Sequence, residues 1–142
     1  MTTYVVIDSG VAFNLLVPNP QRGYIQQLFR RWSQEDLRLC APALWLYEVT
    51  SIFAKAVHFG SLREDEARSG LSIVYRMGVQ LIEPDEDQSR RAFDWTRRLG
   101  RAAAYDSFYL AAAELRGCDL WTADRRLVNV VNQSWIKLAA EN

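Results

Sequence analysis

Four acidic residues stand where chemistry can be built. Asp8 directly follows the run Tyr4-Val5-Val6-Ile7, and Asp124 follows Leu120-Trp121-Thr122-Ala123. Glu48 and Asp106 lie within helix-forming stretches rich in apolar residues. Carboxylates gathered at one place raise one another's pKa unless a cation neutralises them. Ligands that are all oxygen favour magnesium or manganese over zinc or copper. Such an ion can activate water and stabilise charge on an attacked phosphodiester. The chain has one histidine, His58, on a polar stretch at a helix end. That excludes a two-histidine acid–base mechanism and argues against serine–histidine catalysis.

Each acid also has a plainer reading. Asp8 and Asp124 can be helix N-caps, and so can Asp106 if its helix starts late. Glu48 lies three residues after Trp45 and four before Ile52, so it projects from the apolar stripe of its own helix. A charge there is costly unless it is paired or holds a metal. The plain alternative is a salt bridge to an arginine. The joint pattern is stronger: two acids leave strand ends and two lie on inward helix faces.

The elements that must position these acids are short strands alternating with helices. Tyr4 to Ile7 is an apolar, β-branched run of the kind found in buried strands. Val11 to Val17 forms a short helix stopped by Pro18 and Pro20. Tyr24 to Trp32 reads as a second helix and Leu37 to Cys40 as a strand. Pro42 opens an amphipathic helix to about His58. Ser61 to Met77 is a further helix, with Ser61 and Glu64 as a capping box. Val79 to Ile82 is a strand, and Pro84 to Glu86 begins a helix ending at Leu99. Ala102 to Arg116 is an alanine-rich helix, Leu120 to Thr122 a strand, and Asp124 begins a helix to about Val131. Ser134 to Leu138 is the last strand. The alternation predicts a single domain over residues 1–142, a three-layer α/β/α sandwich around a mostly parallel sheet. In such a sheet, sites form beyond the carboxyl ends of the strands, which is where Asp8 and Asp124 fall.

The 142 residues carry no formal net charge, which argues against coating nucleic acid through bulk charge. Only Lys55 and Lys137 are lysines, leaving fifteen arginines among the 17 basic residues. Arginine suits bidentate phosphate contacts. Cys40 and Cys118 lack metal-ligand spacing and read as small buried hydrophobes in a reducing compartment. No stretch approaches the roughly 20 apolar residues of a membrane span, and Asp8 interrupts the N-terminal apolar run too early for a signal peptide. The expected location is the cytoplasm, with no membrane partner.

The motifs resemble the PIN-domain family, and within it the VapC-type toxins of toxin–antitoxin pairs. Val5-Val6-Ile7-Asp8-Ser9 is similar to the family's opening strand and first aspartate. Tyr47-Glu48-Val49, on a helix after Ala41-Pro42, is similar to its glutamate motif. The most specific stretch runs from Tyr105-Asp106-Ser107-Phe108-Tyr109-Leu110 to Leu120-Trp121-Thr122-Ala123-Asp124-Arg125-Arg126-Leu127. The resemblance implies an endoribonuclease in which Asp8, Glu48, Asp106 and Asp124 bind and activate one or two Mg2+ or Mn2+ ions. Asp8 and Asp106 are the expected direct ligands, and Ser9 and Thr122 supporting hydroxyls. It also implies a homodimer and a small antitoxin protein as partners, with RNA as substrate. Gly10 departs from the family, which often has serine or asparagine there.

Rivals fare worse. A haloacid-dehalogenase-type phosphatase needs a second aspartate where Gly10 stands. A phosphate-accepting receiver needs an acidic pair on its first strand end, which Tyr4 to Ile7 does not provide. A P-loop is excluded by the lack of a glycine-rich stretch ending in Lys-Ser or Lys-Thr. The remaining alternative is a PIN-like module that binds RNA or protein without cutting. For substrate phosphate, Arg125 and Arg126 are the candidates nearest Asp124. Arg97, Arg98 and Arg101 read as solvated charge at a helix C-terminus. The apolar residues Phe13, Leu16, Phe29 and Trp32 read as core before they read as a partner groove.

Overall fold

A computed structural model describes residues 2–141. Its centre is a five-stranded sheet of β1 (Tyr4–Ile7), β2 (Arg38–Pro42), β3 (Gln80–Ile82), β4 (Asp119–Thr122) and β5 (Ile136–Leu138). The order is β3-β2-β1-β4-β5 and every pairing is parallel. β1 is central, and Val5, Val6 and Ile7 are all buried. A parallel strand covered on both faces needs apolar residues at successive positions, not alternate ones, and this explains the uninterrupted run before Asp8. The chain moves outward from β1 through β2 to β3, then returns to the other side of β1 for β4 and β5. The reversal falls between β1 and β4, where a crevice opens at the carboxyl ends of the strands.

Seven helices flank the sheet: α1 (Ser9–Leu16), α2 (Arg22–Gln34), α3 (Leu44–His58), α4 (Glu64–Arg76), α5 (Glu86–Leu99), α6 (Tyr105–Arg116) and α7 (Arg125–Val131). α1 packs against α2 and α3, and α3 against α4. α6 lies along β1, β2 and β4 and carries α5 on its other side. Its buried Ala111, Ala112 and Ala113 let the helix approach the strands closely. Trp32 meets Trp121 edge-on, with ring centroids 5.6 Å apart, so the bulky residue in β4 is a core contact to α2. Trp32 is buried, and Phe13, Leu16 and Phe29 pack against the core. No helix among the described residues is long and apolar enough to cross a membrane.

Several element starts differ from the sequence reading, each for a local reason. Pro42 ends β2, and α3 begins at Leu44. The expected capping box of Ser61 and Glu64 is displaced. The Arg63 N–H donates to Glu66 Oε1 at 3.0 Å, and α4 begins at Glu64. The alanines at 102–104 precede α6, which begins at Tyr105. Alanine favours helix but cannot cap one, and the chain leaving α5 through Gly100 at φ 66° needs those residues to turn. Cys40 is buried as expected, Cys118 is half-buried, and both thiols are free.

Candidate active site at the carboxyl edge of the sheet

β1 ends at Ile7, and Asp8 is the first residue beyond it. Its N–H still bonds to the Trp121 carbonyl at 3.1 Å, continuing the β1–β4 ladder. Asp8 is the N-cap of α1: Oδ1 accepts the Val11 N–H at 3.0 Å. Oδ2 accepts the hydroxyl of Thr122 and the N–H of Ala123. β4 delivers Asp124 in the same way. It is the N-cap of α7, with Oδ1 accepting the Leu127 N–H at 3.1 Å. The fully buried Thr122 hydroxyl joins the two acids, since its oxygen also accepts the Asp124 N–H at 2.9 Å.

Glu48 comes from the second turn of α3. Trp45, one turn earlier, is buried and donates its indole N–H to the Asp8 carbonyl at 3.1 Å. This bond ties α3 to the end of β1 and sets the height at which Glu48 faces the crevice. The partner of Glu48 is not an arginine: the hydroxyl of buried Tyr109 donates to its Oε1 at 2.5 Å. Tyr109 is three residues after Asp106, on the same face of α6. Asp106 lies in the first turn of α6 but does not cap it; its Oδ2 is 3.0 Å from Arg101 Nη1.

One cavity of about 280 Å³ is lined by Asp8, Ser9, Gly10, Glu48, Asp106, Tyr109, Thr122 and Asp124, with Ile52, Leu120 and Leu127 as its apolar walls. All four acids and both supporting hydroxyls therefore share one crevice. Arg125 and Arg126 do not line it; both are exposed on the first turn of α7. Three contributors were not expected from the sequence: Tyr109, Arg101 and the close packing at Gly10. A Cβ at Gly10 would stand 2.9 Å from Ala123 Cβ. The absence of a side chain there lets α1 approach the end of β4 directly.

The electrostatics are dominated by burial, with neighbouring charge adding to it. Burial lifts Asp8 to about 6, with its bonds to Thr122, Val11 and Ala123 opposing the shift and the Asp106 charge adding to it. Burial also raises Glu48, opposed by the Tyr109 bond and assisted by Asp106. Burial and then the Glu48 charge push the Tyr109 phenol up. No three acid, histidine or cysteine side chains among the described residues stand close enough to hold a metal ion as they are. Each of the four carboxylates accepts from a protein donor. Yet no protein hydrogen bond reaches Glu48 Oε2, Asp106 Oδ1 or Asp124 Oδ2 among the described residues. An all-oxygen donor set with spare carboxylate oxygens fits a hard divalent cation, given rotation of these side chains.

The comparisons agree with this architecture. The family described as PIN domain matches residues 5–132. No curated protein sequence matches the chain. Among solved structures, the fold is similar to a toxin–antitoxin complex from Klebsiella pneumoniae, at 15% identity over 97% of this chain and 99% of that chain, with a TM-score of 0.67. It is similar to VapC20 of Mycobacterium tuberculosis, described as a sarcin–ricin loop cleaving toxin, at 13% identity over 92% and 95% of the chains, TM-score 0.67. It is also similar to VapBC2 from Rickettsia felis bound to a promoter DNA fragment, at 11% identity over 96% and 98%, TM-score 0.70. At these identities the likeness is one of fold. With the family match spanning most of its length, the chain belongs to the PIN domain family.

Proposed function

We propose that this protein is a divalent-metal-dependent endoribonuclease and the toxin of a VapBC-type pair. The observation that carries the reading is the convergence of Asp8, Glu48, Asp106 and Asp124 on one crevice at the strand-order reversal. Asp8 and Asp106 are the proposed direct ligands of Mg2+ or Mn2+, with Glu48 and Asp124 completing the charge. When bound, such an ion supplies positive charge to the attacked phosphodiester and acidifies the attacking water. The chain's own part is positional. Thr122 and Ala123 hold the Asp8 carboxylate toward the crevice, Tyr109 holds Glu48, and the α7 cap holds Asp124. Ile52, Leu120 and Leu127 form the apolar walls around them.

RNA as substrate and a small antitoxin as partner are supported by the neighbours, which include a sarcin–ricin loop cleaving toxin and a toxin–antitoxin complex. Pairing with a second copy is supported by an apolar cleft lined by Leu44, Tyr47, Ile82, Tyr105 and Phe108, in which both tyrosines are exposed. The cytoplasm is the proposed location, consistent with two free thiols.

The test incubates purified protein with a mixed structured RNA in manganese, in magnesium and in chelator, beside Asp8→Asn and Asp106→Asn. Cleavage that needs the metal and is lost in both variants supports the nuclease. Binding of RNA without metal-dependent cleavage in any lane overturns it in favour of a binding module.

A further inference from the structure

Among the described residues, Arg101 is the one cation ion-paired with any of the four acids. Its place is built, not incidental. Gly100 closes α5 in the left-handed conformation, and the Arg101 N–H bonds to the Thr96 carbonyl at 3.1 Å. Thr96 is buried, and its hydroxyl lies 2.8 Å from that of buried Ser107, the residue after Asp106. The end of α5 is thereby pinned to the first turn of α6. The guanidinium is carried from there to Asp106 at the edge of the crevice.

The pair itself is loosely held. One guanidinium nitrogen contacts one carboxylate oxygen, Nη1 to Oδ2 at 3.0 Å, and the side chains are 30% and 46% exposed. A half-exposed monodentate pair contributes little, so exchange of partner costs little. A guanidinium presents five N–H donors in a planar fork, and among the described residues only one of those on Arg101 has a protein partner. Arg101 does not itself line the cavity but sits one contact away, on Asp106, and a guanidinium fork suits bidentate contact with phosphate oxygens. Asp106 is therefore contested: a cation among the four acids and the guanidinium of Arg101 draw on the same carboxylate.

Resting on the metal reading above, we propose that Arg101 is the resident counter-ion of the acid crevice, released from Asp106 by the divalent ion and then engaged with a phosphate of the RNA strand. In the ion-free protein it pairs with Asp106. When an ion draws on Asp106, the freed guanidinium turns to the substrate. Metal binding and RNA binding are then coupled through one side chain.

Removing Arg101 has opposite effects on the two ligands. The experiment titrates Mn2+ alone into wild type, Arg101→Gln, Arg101→Lys and Arg97→Gln by calorimetry. The last removes an exposed charge from the same helix end. Arg101→Gln is expected to tighten Mn2+ binding about threefold to tenfold. Arg101→Lys keeps a competing cation and stays near wild type, and Arg97→Gln changes affinity less than about twofold. In a second arm, RNA affinity in Ca2+ is followed against salt. Arg101→Gln is expected to weaken binding and lower the salt slope by about 0.7, one phosphate contact on a single strand. Wild type binding Mn2+ with Arg101→Gln no tighter overturns the Arg101 proposal alone. Equal tightening in Arg97→Gln overturns it too, as bulk charge then explains the effect. An unchanged salt slope overturns the phosphate contact. No Mn2+ binding by wild type overturns this proposal together with the metal reading on which it rests.

Discussion

Thr122 and Asp8 meet hydroxyl to carboxylate across the boundary between β4 and β1, and the same hydroxyl oxygen receives the Asp124 N–H. Thr122 has no exposed surface. A valine there has nearly the same shape but leaves Asp8 Oδ2 short of a donor and the Asp124 N–H without its acceptor. Thr122→Val is expected to cost about 1–3 kcal/mol and to lower RNA cleavage at least tenfold. Thr122→Ser keeps the hydroxyl and retains most activity. Urea denaturation and initial rates on the same preparations check both.

The ion-free protein is expected to be more stable at pH 5 than at pH 7.5. Asp8 is held at about 6 in the fold against 3.8 ordinarily. Between those values the folded state keeps a proton that the unfolded chain has released, so stability falls as pH rises through the window. Each unit is worth about 1.4 kcal/mol, and pH 5 lies about one unit below the folded value, so the loss between pH 5 and pH 7.5 is about 1.4 kcal/mol. Glu48 acts in the same direction. Denaturation in chelator at the two pH values measures the loss, and added Mn2+ is expected to recover it at pH 7.5. A protein less stable at pH 5 contradicts the assignment.

Tyr109→Phe removes the one protein donor that reaches Glu48 among the described residues. That bond opposes the upward shift of Glu48, so its loss raises the carboxyl's proton affinity further. Cleavage is expected to fall at neutral pH, with the acid side of the rate profile moved to higher pH. Because Tyr109 also fills core, melting temperature is measured alongside. Unaltered pH dependence would remove Tyr109 from the positioning of Glu48.

Gly10→Ser tests whether the family's common polar residue can be restored. The new Cβ would lie 2.9 Å from Ala123 Cβ, so α1 must move away from the end of β4. Overpacking of this kind costs about 1–3 kcal/mol, and the displaced backbone weakens the Ala123 bond to Asp8. Both stability and activity are expected to drop. An active, equally stable Gly10→Ser would show that the backbone yields at no cost.

Much of this fold was readable because its signals are local. The Tyr4–Ile7 run announces a strand covered on both faces, and Pro18, Gly60, Gly78, Gly100 and Gly117 punctuate the helices where the chain must turn. Boundaries slipped where two local rules competed, as at residues 102–104, where alanine's helix preference gave way to the turn after α5. The cap readings of Asp8 and Asp124 hold: each cap uses one carboxylate oxygen, and at Asp8 the other accepts from Thr122 and Ala123.

The sequence by itself determined the element types, the inward placement of Glu48 on its helix, and the exit of Asp8 and Asp124 from strand ends, because these depend on neighbours within a few residues. The tertiary structure alone decided which partners those acids have. Glu48 reaches Tyr109 across 61 residues, and Asp8 reaches Thr122 across 114. Strand order β3-β2-β1-β4-β5 and the docking of α5 on α6 create those meetings. Arg101 belongs to the same class: read along its helix it is terminal charge, and only the turn through Gly100 brings it to Asp106. Spacing along a chain fixes faces and ends, whereas the pairing of charges in a crevice depends on how separate elements pack.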